Sequence, residues 1–128
     1  MGLDMYLYKK LKGSEGPVCY DEIGYWRKAN AIHGYFDKLF GEVENTEYYK
    51  VPKEKLVHLL NICKEVYVRR DDPSFAELVL PTMPGFFFGN YEYDDWYYEN
   101  IKDTIDILTR VLEEIDFDKY DVYYWAWW

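Results

Sequence analysis

A chain of 128 residues with 49% apolar and 30% charged residues can bury one hydrophobic core and is too apolar to stay disordered. Its formal net charge of −9 opposes binding to nucleic-acid backbones and to anionic membranes, since both need clustered Lys and Arg. The aromatic content is high, with 15 Tyr, 7 Phe and 5 Trp. Tyr and Trp each carry a polar atom that needs a partner or water. The excess therefore implies rings at a recognition surface or a Tyr-rich sheet with half-exposed rings.

Leu3 to Tyr8 alternates, with Leu3, Met5 and Leu7 on one face and Asp4, Tyr6 and Tyr8 on the other, which predicts a half-buried strand. Lys9 to Pro17 reads as a loop. The helical period then places Tyr25, Ala29, Ile32, Phe36, Leu39 and Phe40 on one stripe, predicting a helix from about Ile23 to Phe40 that stops at Gly41. Trp26, Asn30, His33 and Asp37 follow one another along its flank, where a packing helix would carry Lys and Glu. An indole, a carboxamide and an imidazole in register read as the wall of a binding site.

Glu47 to Val51 reads as a short strand, and Pro52 is placed to open the next helix. That helix has a stripe of Leu56, Leu59, Leu60, Cys63, Val66 and Tyr67 and reads as structural. Its His58 points to the polar side. Val68 to Gly89 is irregular, apart from a short turn at 76–80, and ends in Gly85-Phe86-Phe87-Phe88-Gly89. Strand alternation cannot send three consecutive rings into one core, so either Phe87 or the pair Phe86 and Phe88 is available for stacking; a strand buried on both faces is the alternative. Asp94 or Asp95 caps a long helix to about Ile115, with Tyr97, Ile101, Ile105, Leu108, Val111, Leu112 and Ile115 inward. Tyr120 to Trp128 alternates again with rings on both faces. That segment must lie under helices or form a subunit contact.

The order predicts a single α+β domain: a small antiparallel sheet including both terminal strands, covered by about three helices. Cys19 and Cys63 have no metal-ligand spacing, and Cys63 sits on an apolar stripe. No signal peptide or membrane span is expected, and Tyr6 stands where a myristoylation motif wants Ser or Thr, so the chain is placed in the cytoplasm. Neither a metal nor a cofactor is expected. Phosphate-binding and nucleophile motifs are lacking, so catalysis has no positive signature.

The stretches Met1 to Leu7, Glu22 to His33 (EIGYWRKANAIH), Leu80-Pro81-Thr82, Gly85 to Gly89 (GFFFG) and Tyr93 to Tyr97 (YDDWY) resemble a family of small bacteriophage-encoded proteins. The resemblance covers most of the chain in order. It departs at Pro52, where a Ser cap is more typical. The family brings no activity to carry over; it implies a phage origin, and small phage proteins of this kind often counter host immunity.

Tyr25, Trp26, Arg27, Asn30, His33, Phe86, Phe87, Phe88 and Trp96 are thus the candidate ligand-binding residues. Rings stack on bases, Asn reads base edges and Arg grips phosphate. The expected function is non-catalytic sequestration of a nucleotide-derived immune signal by a homo-oligomer in the infected bacterial host. One alternative is an acidic inhibitor or nucleic-acid mimic presenting Asp94, Asp95, Glu99, Asp103 and Asp106 to a basic host protein. A weaker one is a nucleotide-acting enzyme with His33 as base.

Overall fold

A computed structural model describes residues 2–16, 21–85 and 89–128. The chain runs β1 (Asp4–Leu11), β2 (Glu22–Arg27), α1 (Asn30–Phe40), β3 (Tyr48–Val51), α2 (Lys53–Val68), α3 (Pro73–Val79), α4 (Asp95–Glu114) and β4 (Tyr120–Trp127). The strands form one antiparallel sheet in the order β2-β1-β4-β3, so the terminal strands pair at its centre. The fold is α+β, with four helices among the described residues where about three were expected.

Alternation divides the sheet into two chemically different faces. Leu3, Met5, Leu7, Trp26, Val51, Val122, Tyr124 and Ala126 point inward and are buried. Helix α1 lies on this face, where Phe36 stacks on Tyr124 with ring centroids 4.1 Å apart. Helix α4 packs beside it so closely that a Cβ on Gly24 would lie 2.8 Å from Ile107 Cγ2. Helix α2 contributes Leu56, Leu59, Leu60, Cys63 and Val66 to the same core, and burial pushes the Cys63 thiol up to about 12. At the start of α4, Asp94 is the cap, its carboxylate accepting from Tyr97 N–H at 3.1 Å.

Residues Pro73–Val79 form a helix where only a short turn at 76–80 was expected, and two further boundaries differ from the sequence expectation. Strand β1 continues to Leu11, because Lys9, Lys10 and Leu11 pair with Val122, Asp121 and Tyr120 of β4. More consequentially, residues 22–27 form a strand, and the helix starts only at Asn30. Over six residues the alternation of Gly24 and Trp26 against Tyr25 and Arg27 fits a strand as well as the stripe fits a helix. Pairing with β1 decides between them, and Ile, Tyr and Trp suit a pleated surface. Between strand and helix, Lys28 takes a left-handed φ of 55°.

No helix is long and apolar enough to cross a membrane among the described residues.

Candidate functional site

The structure disperses the expected wall. Trp26 is on the inner face of β2, and its indole N–H donates to Thr104 Oγ1 of α4 at 2.8 Å. Asn30, at the first turn of α1, is buried and serves as a clamp. Its Nδ2 donates to Asn90 O at 2.8 Å, and its Oδ1 accepts from Met83 N–H at 3.0 Å. His33, one turn on, is 1% exposed, with Nδ1 2.6 Å from Tyr124 Oη and its ring edge-on to Trp128. Burial lowers its pKa to about 4, against a smaller opposing pull from Asp37. These three side chains supply the polar joints of the core, so Trp26→Ala or Asn30→Ala tests folding rather than an exposed wall.

Asp37 is engaged too, accepting from Val43 N–H at 2.8 Å beyond the left-handed Gly41 that ends α1. Trp96 is half exposed and borders a depression with Lys28, Asn30, Asn90 and Asn100. At about 10 Å³ that depression has room for one water and none for a base. Phe86, Phe87, Phe88 and Cys19 lie outside the described residues.

Tyr25 and Arg27 point the other way, onto the outer face of the sheet. There the pleat gathers the aromatic excess. One row crosses all four strands: Tyr25 of β2 beside Tyr6 of β1, then Trp125 of β4, then Tyr48 of β3. Successive ring centroids are 5.0, 5.6 and 6.0 Å apart. Tyr8 stacks on Tyr6 at 5.6 Å along β1, and Trp127 lies beyond Trp125 on β4. Tyr25, Tyr48 and Trp127 are 42%, 38% and 49% exposed. The helices pack against the opposite face, so among the described residues none covers this one.

Charges frame the row. Asp4 is the acceptor at one end, receiving Tyr25 O–H at 2.6 Å and Arg27 Nη1 at 3.0 and 3.2 Å. The Asp4 carboxylate holds the Tyr25 phenol above its ordinary pKa, chiefly through that hydrogen bond. At the other end Lys12 and Lys50 pair with Asp121 at 3.7 and 3.5 Å. Among the described residues of this face, the cations Lys10, Lys12, Arg27 and Lys50 meet the carboxylates Asp4, Glu22 and Asp121. The face is thus near neutral on a chain of net charge −9.

Compared with protein-family models, curated proteins and solved structures, the chain matches none. The surface chemistry is therefore the guide to function.

Sequence reasoning allowed for rings at a recognition surface or on a half-exposed sheet but did not assign the site to this face. The strand alternations at both termini were the available signal: they name Tyr6, Tyr8, Tyr123, Trp125 and Trp127 as the residues opposite the core. Only the pairing of β1 with β4, and of β2 with β1, makes one surface of them. Among the described residues no group of three or more His, Cys, Asp and Glu side chains could hold a metal ion.

Proposed function

We propose that the chain binds a nucleotide-derived ligand carrying more than one base, by stacking on the outer face of its sheet, and holds it without chemical change. The observation that carries this reading is the row Tyr25–Tyr6–Trp125–Tyr48 across four adjacent strands. Strands spaced about 4.8 Å apart give a row about 14 Å long, enough for two bases side by side. Stacking contributes about 1–3 kcal/mol per base and accepts any base, because every base has a π face. Arg27, paired with Asp4, and Lys50, paired with Asp121, flank the row and are the cations a phosphate there would compete for.

In a phage-encoded protein, the origin suggested by the YWRKANAIH and GFFFG motifs, such binding would sequester a nucleotide immune signal in the host cytoplasm. The test is calorimetry with cyclic di- and oligonucleotides and ADP-ribose derivatives, followed by recovery of the ligand. Saturable binding, intact ligand and a loss of about tenfold or more in Trp125→Ala and Tyr6→Ala are expected. Absence of binding, or binding indifferent to both substitutions, overturns the reading. A second copy of the chain on this face would appear instead as a dimer that the same substitutions dissociate.

A second reading is favoured by α4, where Glu99, Asp103 and Asp106 lie on the solvent side. Partial burial and then repulsion from Glu99 and Asp106 hold the Asp103 carboxyl above its ordinary range. Such crowding of carboxylates suits a basic protein partner. Binding of that kind would weaken steeply with salt and with charge reversal at Asp103 and Asp106.

A further inference from the structure

A separate cleft lies on the helical side, between α1, α2 and the segment 78–84 that ends α3 and continues beyond it, with a volume of about 700 Å³. That is the size of a small-molecule site. One wall is apolar: Val79 and Met83, with Pro81 and Pro84 contributing no backbone N–H to that wall. The segment seats closely on α1, since a Cβ on Gly34 would lie 3.3 Å from Met83 Cβ. A glycine at position 34 permits this close seating.

The opposite end is polar. Tyr35 Oη lies 3.0 Å from Lys55 O and 2.8 Å from His58 Nδ1. The phenol has one proton. When it donates to His58 Nδ1, the imidazole proton sits on Nε2, which is then a donor for an acidic group. Burial pushes the Tyr35 phenol up to about 12, so it keeps that proton throughout the neutral range. Lys38 and Lys55 join His58 around the cleft, whereas its carboxylate, Asp37, is engaged by Val43 N–H. An acidic chain has thus placed basic groups around an apolar cleft.

We infer that this cleft binds a small amphipathic anion, its acidic group held by His58 with Lys38 and Lys55 and its apolar body lying on Val79 and Met83. The site is independent of the sheet face and does not rest on the nucleotide reading. Octanoate and octan-1-ol are matched probes, equal in chain length and differing in charge. Octanoate should bind at one per chain in calorimetry, at least tenfold tighter than octan-1-ol. The amide signals of Gly34 and Met83 should move in NMR spectra while those of Tyr6 and Trp125 stay still. His58→Gln and Lys55→Gln, both at exposed positions, should each weaken octanoate at least fivefold and leave octan-1-ol unchanged. Equal binding of the two probes, shifts confined to the sheet, insensitivity to both substitutions, or no saturation at millimolar octanoate would each overturn the assignment.

Discussion

The imidazole of His33 and the phenol of Tyr124 meet at 2.6 Å inside the core, 91 residues apart in sequence. This bond ties α1 to the centre of the sheet, and burial disfavours a charge on the ring that makes it. Burial holds the His33 pKa at about 4, below the ordinary 6.5. Above pH 6.5 the ring is neutral in folded and unfolded chains alike, so it adds no pH dependence there. As the pH falls from 6.5 towards 4 the unfolded chain takes up a proton that the folded chain refuses. Stability is lost across that window, by about 3 kcal/mol for this group, and the loss levels off below it. Urea unfolding at pH 7.5 and 4.5 should show a smaller decline for His33→Gln than for the parent, because carboxylate contributions are common to both.

Trp26 and Thr104 form a second long-range joint, between β2 and α4. Thr104→Val removes the indole's acceptor and leaves a buried N–H unsatisfied, at a cost of about 1–3 kcal/mol. Trp26→Phe loses the donor along with some packing. Chemical denaturation of both variants and the pair should give a coupling energy of about 1 kcal/mol, because removing both partners leaves nothing stranded. Nucleotide affinity should not change in either single variant, since neither residue reaches the outer face.

Gly24 faces Ile107 at a distance no Cβ tolerates. Gly24→Ala should therefore cost about 1–3 kcal/mol by overpacking. Adding Ile107→Ala opens the space and should recover part of that loss. A thermal melt of the single and double variants reads both effects. A double variant less stable than Gly24→Ala alone would show that close packing of α4 on β2 is not the constraint.

The carboxylate of Asp94 accepts from Tyr97 N–H and caps α4. Asp94→Ala should destabilise by about 1 kcal/mol, while Asp94→Asn keeps most of the cap. A urea titration of the two variants checks the order. Because this carboxylate is committed to the helix, Asp94→Asn should also leave any binding of a basic partner to α4 nearly unchanged.

Much of this architecture is legible in the chain because local periodicity and burial coincide. The Leu56 to Val66 stripe, the Asp94 cap with its inward Tyr97, Ile101, Leu108 and Val111, and the alternating termini each need only one segment and one apolar face. The terminal strands were expected to belong to one sheet, and they pair at its centre. What no local pattern decides is partnership. Residues 22–27 satisfy two periods at once, and hydrogen bonding to β1 makes them a strand. That turns Tyr25 and Arg27 outward and Trp26 inward. The same step buries Trp26, while the seating of α1 against Tyr124 buries His33. Side chains that resembled a binding wall along one helix thereby become joints between distant segments. The aromatic row is likewise absent from any single segment. It exists because four strands in register bring Tyr25, Tyr6, Trp125 and Tyr48 side by side. Sequence determines which faces are apolar, since that depends on spacing along the chain; only the tertiary structure decides which faces meet, since that depends on contacts between residues far apart in it.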